Sequence, residues 1–135
     1  MLVLPSTQVI PQPVVPDIQN ALTATGAAAA AVTLTIPSPG AGLSQFIYVI
    51  QINKFNTALL VAGAAPVTVT TTNLPGTPSF DFGADAATQG TFQTLLLQPM
   101  APFKAAAPAT AITIVCPATT SVIWKVTAFW ANANN

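Results

Sequence analysis

Few residues in this sequence have side chains that take part in catalysis. The chain has no histidine, and its ionisable side chains are mainly three aspartates and three lysines in 135 residues. Asp81 and Asp85 are the closest pair of carboxylates, in the stretch DFGAD. Two carboxylates can flank a sugar in a glycosidase or supply oxygen ligands to Ca²⁺. They can also hydrogen-bond the backbone of a loop without any ligand, and this is the role we expect here.

The single cysteine gives no further chemistry. Cys116 excludes an internal disulfide, and one cysteine without histidine cannot complete a zinc site. It lies in the apolar run TIVCP, with no histidine or arginine nearby to lower its pKa. We expect a small buried side chain. No glycine-rich phosphate loop or dinucleotide motif is present, so the sequence predicts a protein that is not an enzyme and binds no cofactor or metal.

Two tryptophans share one face of the last apolar stretch. Trp124 and Trp130 could fill the core, form an exposed platform for sugars, or anchor a subunit interface. All three roles stay open, and Trp130 is the candidate interface residue of the pair. The lysines Lys54, Lys104 and Lys125 are widely spaced, and we expect them to be solvated.

Charge is scarce throughout. Charged residues make up 4% of the chain and hydrophobic residues 52%, with a net charge of zero, whereas ordinary proteins have about 25% charged residues. Three scattered lysines form no basic patch for nucleic acid. The apolar run at 58–67 is shorter than the roughly 20 residues of a membrane span. We therefore expect no nucleic acid or membrane partner, and a neutral surface that favours self-association.

The elements that would position these residues are strands. Alternating apolar and polar residues, many of them β-branched, recur between proline and glycine turns. The pattern predicts an all-β fold, an antiparallel β-sandwich that is jelly-roll-like. In the second strand it places Phe46, Tyr48, Ile50 and Ile52 on one face. The predicted strands cover residues 27–36, 42–53, 57–63, 66–72, 79–83, 91–99, 110–117 and 121–131.

The beginning of the chain differs from the rest. Residues 1–20 contain four prolines and no regular period, a composition that favours extended backbone. We predict an extended N-terminal arm at 1–24 and a sandwich domain at 25–135. The arm could lie on a neighbouring subunit, lie on its own domain or stay disordered, and we expect the first. Its candidate interface residues are Leu2, Val3, Leu4, Val9, Ile10, Val14 and Val15.

The order of these segments also resembles a known class. VTLTIP, FIYVIQINKFNTALLVAG, PVTVTTTNLPGTPSFDF, GTF, TIVCPA and VIWKVTAFW follow one another over about residues 27–131. This order, with the TNLPG turn and the tryptophan-bearing last strand, is similar to that of bacteriophage virion proteins of the capsid decoration (cement) type.

The resemblance implies a structural virion protein. Such a protein would be made in the host cytoplasm, sit on the capsid surface as a homo-oligomer, usually a trimer, and clamp neighbouring copies of the major capsid protein. Broad apolar interfaces and the arm would make the contacts, since interface cores are depleted of charge. One alternative is the receptor- or glycan-binding head of a phage fibre or tail protein. A shell-forming jelly roll is another, although 135 residues is short for one.

Overall fold

The structure, a computed structural model, describes residues 18–58, 65–83 and 92–135. Every regular element in these ranges is a β-strand. Segments such as VTLTI and VTVTTT form strands because β-branched side chains pack well on a pleated surface. The strands are β1 (Asn20–Thr25), β2 (Val32–Ile36), β3 (Leu43–Asn56), β4 (Val67–Thr72), β5 (Phe80–Phe82), β6 (Phe92–Leu97), β7 (Phe103–Lys104), β8 (Ile112–Cys116) and β9 (Val122–Asn134).

The strands form two antiparallel sheets. Sheet 1 has the order β1-β9-β3-β6, with the short β7 also paired to β3, and sheet 2 has the order β2-β8-β4-β5. With β7 set aside, the first strand pairs with the last, the second with the next to last, and so on inward. This is the pairing of one long hairpin folded across two sheets, the arrangement of a jelly roll. The predicted all-β, jelly-roll-like sandwich is confirmed.

The hydrophobic core lies between the two sheets. In β9, alternate residues from Val122 to Trp130 point inward, as the sequence pattern predicts, and the intervening residues point outward. Burying each large aliphatic side chain contributes about 1.5–3 kcal/mol, so this layer is the main source of stability. Core residues with at most 1% of their surface exposed include Leu34, Ile36, Ile47, Ile50, Ile52, Val69, Leu74, Ile112, Ile114, Val122, Trp124, Val126 and Ala128.

A bulge in β3 changes which of its residues face the core. The register with β9 shifts between Ile47 and Val49. A bulge adds one residue to a strand and so interrupts strict alternation. Ile47 therefore shares the inner face with Ile50 and Ile52 and is 1% exposed. The prediction that Phe46 and Tyr48 share a face with Ile50 and Ile52 is wrong for this reason.

The first part of the described chain differs from the predicted single strand at 27–36. It forms two strands in different sheets, β1 and β2, separated by a turn in which Ala29 has a φ of 64°. β1 begins inside the predicted arm and pairs with β9 along its whole length. Most of the predicted strand at 57–63 lies outside the described residues, as do residues 84–90 between the predicted strands at 79–83 and 91–99.

The TNLPG turn and a long link close one end of the sandwich. Thr77 N donates to Leu74 O at 2.9 Å, and Gly76 has a φ of 74°, as a turn with proline and then glycine at its centre requires. Asn73, just before it, donates through Nδ2 to the carbonyls of Ala107 and Thr110, both at 3.0 Å. These bonds fasten the link after β7 to the end of β4. The two-residue strand β7, just before this link, lies where the sequence analysis predicts no strand.

Candidate interaction surfaces

The two aspartates singled out by sequence do not form a site in the described structure. Asp81 is exposed on β5, where its Oδ1 accepts a hydrogen bond from the Thr68 hydroxyl at 2.7 Å. Asp85 lies outside the described residues. In the described ranges no group of three or more histidine, cysteine or acidic side chains is placed to hold a metal ion. Asp81 thus bonds a side chain of the neighbouring strand β4, which differs from the predicted bond to the backbone of a loop.

The three lysines have different environments. Lys104 and Lys125 are exposed, as predicted. The prediction that Lys54 is solvated is wrong, because its side chain is 1% exposed. Its place between Ile52 and Asn56 on the inner face of β3 directs it between the sheets. There its Nζ donates to the carbonyl of Gly83, just after β5 of the opposite sheet, so that this lysine joins the two sheets.

Both tryptophans belong to the core. Trp124 is fully buried, packs edge-on against Phe82 with ring centroids 5.2 Å apart, and donates from Nε1 to Pro117 O at 2.9 Å. Trp130 is 5% exposed and packs in the same cluster. An exposed tryptophan platform for sugars is therefore excluded. In the described structure, Trp130 therefore has almost no exposed surface that a partner could contact.

Cys116 is fully buried on the inner face of β8 as a free thiol. Desolvation by burial raises the pKa of this thiol to about 12, because an apolar surrounding disfavours the thiolate. The prediction of a small buried side chain is confirmed. The arm residues from Leu2 to Val15 lie outside the described residues, so their predicted contacts stay predictions. No helix in the described ranges is long and apolar enough to cross a membrane.

The outer face of sheet 2 is a threonine face. Its residues include Thr33 and Thr35 of β2, Thr70 and Thr72 of β4, and Thr113 of β8, with Val115 of β8 in register between Thr33 and Thr70. Thr72 and Thr113 share a hydrogen bond between their hydroxyls at 2.7 Å. This face is suited to contact with water, because each exposed hydroxyl can bond to water or to its neighbour.

The outer face of sheet 1 has both apolar and polar side chains, arranged in rows that run across the strands. We call it the mixed face. One row across the strands is apolar, with Phe92, Phe55 and Ile123 in register. The neighbouring row is polar, with Thr94, Asn53, Lys125 and Thr25 in register. Rows on one face of a sheet are about 7 Å apart, so a small molecule could touch both rows at once.

A cleft of about 330 Å³ lies where these two rows meet. The rings of Phe55 and Phe92 have centroids 4.6 Å apart at 41°, forming an aromatic wall. Opposite stands the polar row, in which the Thr94 hydroxyl donates to Asn53 Oδ1 at 2.8 Å. We call this site the aromatic cleft. Its lining is Thr25, Asn53, Phe55, Phe92, Ile123 and Lys125.

Sequence analysis alone does not identify the aromatic cleft. Alternation along β3 places Asn53 and Phe55 on one face, which the sequence does indicate. The other lining residues come from β1, β6 and β9, and only the strand order brings them alongside β3. The exposed edge of β6 was missed for the same reason, since the sequence does not say which strands end a sheet.

Comparison with known proteins adds little. No protein-family model matches the chain, and no curated protein matches it. Among solved structures, one similar chain is that of the extra small virus of the giant freshwater prawn Macrobrachium rosenbergii, from a cryo-EM structure of its virus-like particle. The likeness covers 96% of this chain and 94% of that chain at 12% identity and a TM-score of 0.32. A likeness of this strength carries no argument about function.

Proposed function

We propose that this chain is a structural virion protein that assembles with neighbouring subunits through the two edges of sheet 1. The main support is where large apolar side chains are exposed. In the described residues, all of them lie on or beside β1 and β6, the outer strands of sheet 1. They are Ile18 (49% exposed), Leu22 (39%), Phe92 (67%), Leu96 (58%) and Met100 (108%).

The physics of a sheet edge makes these strands natural contact sites. An edge strand presents unpaired backbone donors and acceptors, and proteins usually guard such edges with charged residues. Neither β1 (NALTAT) nor β6 (FQTLLL) has a charged residue. Covering Phe92 or Leu96 completely would contribute up to about 1.5–3 kcal/mol per side chain. An uncharged apolar edge is stable as an interface and aggregation-prone when left open.

The strand directions fit a head-to-tail contact. All pairs in sheet 1 are antiparallel along the order β1-β9-β3-β6, so β1 and β6 run in opposite directions. When β6 of one copy lies beside β1 of the next in the same orientation, the joined edges are again antiparallel. Contacts of this kind join different surfaces of each copy and form rings when the rotation closes. A trimer is the ring size that we propose.

The arm takes part in the same contact under this proposal. The described part of the chain begins at Ile18, directly before β1. The arm is therefore joined to the sandwich at the edge where the next subunit would lie. Its apolar residues, from Leu2 to Val15, would extend over that neighbour, where main-chain pairing can add a strand to an existing edge. This contact would link subunits beyond the sandwich bodies.

The specific form of the proposal is a decoration protein. In this form the oligomer sits on the surface of a capsid and clamps copies of the major capsid protein. The near absence of charge supports a permanent protein–protein contact. The same edges would also serve a shell-forming subunit. The two forms differ in whether the purified chain builds closed shells alone or binds only to shells built by another protein.

The test is assembly of the purified full-length chain, followed by sedimentation velocity and negative-stain electron microscopy. We expect a discrete oligomer for the natural chain. A Leu96→Lys, Met100→Lys double variant should be a folded monomer, because both side chains are exposed and their charges would be buried at the contact. The matched control is Thr33→Lys, Thr35→Lys, which adds the same charge to the exposed threonine face of sheet 2.

The outcomes separate the parts of the proposal. A natural chain that stays monomeric at high concentration contradicts the role in assembly. Equal loss of assembly in the edge variant and the control contradicts the choice of edge. Deletion of residues 1–17, which leaves β1 whole, tests the arm. The measurement is the amount of the chain that binds to capsids assembled without it. If the shortened chain binds to these capsids as well as the full-length chain does, the arm has no part in the contact.

A further inference from the structure

The aromatic cleft is suited to a ligand with one flat apolar side and one acidic group. Its wall is formed by Phe55 and Phe92, and the exposed fraction of Phe92 is 67%. Its volume of about 330 Å³ lies at the lower end of the roughly 300–1,000 Å³ that small-molecule sites occupy. It opens on a sheet face, so a ligand there keeps part of its surface in water.

The polar row of the cleft supplies mainly donors. Lys125 has an ammonium group, and no ion pair to it is present among the described residues. Asn53 accepts the Thr94 hydroxyl through Oδ1, which leaves its Nδ2 hydrogens directed to other acceptors. Thr25 adds a hydroxyl, and the described residues that line the cleft include no carboxylate. A ligand that matches this row brings acceptors and a negative charge.

We propose that the aromatic cleft binds a sugar that bears a carboxylate. The carboxylate lies at Lys125 and the Asn53 amide, where charge-assisted hydrogen bonds are strongest. The C–H face of the sugar ring packs on Phe55 and Phe92 through weak C–H contacts with the rings. Thr25 hydrogen-bonds a ring hydroxyl. This binding activity is a different function from assembly, but it shares Phe92 with the β6 edge, so it requires a copy whose β6 edge is open.

The openness of the site favours a sugar over an aromatic acid. An apolar acid gains most from a closed cavity that removes its whole ring from water. In the cleft only one side of a ring meets Phe55 and Phe92, and the other side faces solvent. A sugar has hydroxyls that stay hydrated on that side, and it can reach the polar row along the sheet.

The test is titration of the ¹⁵N-labelled full-length chain with four probes, followed by NMR. The probes are glucuronate, N-acetylneuraminate, glucose and benzoate. We expect the Asn53 side-chain amide and the backbone amide of Lys125 to shift with one or both acidic sugars, at millimolar concentrations. Glucose should bind at least about tenfold more weakly, as expected when a charge-assisted hydrogen bond is lost.

Two variants with matched controls assign the contacts. Lys125→Gln should weaken binding of the acidic sugar by about tenfold, whereas Lys104→Gln, an equally exposed lysine on β7, should not change it. Phe92→Ala should weaken binding by about threefold. Leu96→Ala, on the same strand and the same outer face but outside the cleft, should leave it unchanged.

Three results would overturn the proposal. They are equal affinity for glucose and glucuronate, binding of benzoate without binding of either acidic sugar, and equal effects of Lys125→Gln and Lys104→Gln. An absence of any shift at Asn53 with all four probes would do the same. Because an assembled copy could cover Phe92, the titration is run on the monomeric Leu96→Lys, Met100→Lys chain as well as on the natural chain, so that failure of this site and failure of the assembly role are distinguishable.

Discussion

The outer faces of the two sheets differ although one core supports both. The threonine face of sheet 2 consists mainly of threonines, and the hydroxyls of Thr72 and Thr113 share a hydrogen bond at 2.7 Å. The mixed face of sheet 1 has paired aromatic rings, a lysine and a cleft of about 330 Å³. The exposed large apolar side chains in the described residues also lie on or beside the edge strands of sheet 1. Interaction is therefore expected on one side of the sandwich, and the other side is suited to face water.

The largest expected effect tests the shared core. Trp124→Ala removes a fully buried ring that packs on Phe82 of sheet 2. We expect the free energy of unfolding to fall by about 3–5 kcal/mol, the usual loss for a large aromatic in a core. Chemical denaturation measured by tryptophan fluorescence of Trp130 and by far-UV circular dichroism would check this. A loss below about 1 kcal/mol would mean that the packing of Trp124 between the two sheets contributes little to the stability of the sandwich.

The next effect compares the two outer faces directly. Phe55→Ala on the mixed face removes a half-buried ring that packs on Phe92. We expect a loss of about 2 kcal/mol in the free energy of unfolding, because part of an aromatic side chain leaves its packing. Urea denaturation gives the value. If the loss equals that of a threonine substitution on sheet 2, the mixed face contributes no more packing than the threonine face.

Cys116 reports on the core behind the threonine face. Its pKa rises from the ordinary 9.0 to about 12 on burial, so above pH 9 the unfolded chain gives up the thiol proton while the folded chain keeps it. The free energy of unfolding must then fall as the pH rises from 9 toward 12. Relative to a Cys116→Ala variant, we expect an extra loss of about 1–2 kcal/mol between about pH 9 and 10.5.

The Cys116→Ala variant is also the control, because every other ionisable side chain is the same in both proteins. Parallel stability curves for the two proteins would show that the thiol is not desolvated. Labelling by a thiol reagent gives an independent reading. It should be slow in the folded chain and rapid in urea, since the thiolate is the reactive form.

The smallest effect is expected on the threonine face. Thr72→Val removes the hydroxyl bonded to Thr113 but keeps the β-branched shape. Exposed pairs of this kind contribute little, so the free energy of unfolding should change by less than about 0.5 kcal/mol. Thermal denaturation of this variant and of Phe55→Ala compares the losses in the free energy of unfolding on the two faces. A loss above about 1.5 kcal/mol would show that the threonine hydroxyls hold sheet 2 together.

Local pattern predicts much of this fold. Alternation in β9 places Trp124 and Trp130 on one face, and the structure buries that face. The TNLPG turn forms where proline and glycine require it, with a φ of 74° at Gly76. These features depend on residues that are close together in the sequence, so the sequence alone is enough to predict them.

Features that depend on distant residues could not be predicted in this way. Both faces of β3 are apolar around Tyr48, so the pattern has no signal for the bulge between Ile47 and Val49. Lys54 is buried on the inner face, where its ammonium donates to the carbonyl of Gly83, just after β5 of the opposite sheet. The aromatic cleft needs residues of four strands, which only the sheet order brings together.

The most direct test of the central claim is hydrogen–deuterium exchange of the natural chain at low and high protein concentration, read by mass spectrometry or NMR. On association, amides of β6 (Phe92–Leu97) and β1 (Asn20–Thr25) should gain protection, because their open edges become paired. Amides of β2 (Val32–Ile36), at an edge of sheet 2, should exchange equally at both concentrations. Protection that is gained at β2 and not at β1 or β6, or at no strand, would contradict assembly through sheet 1.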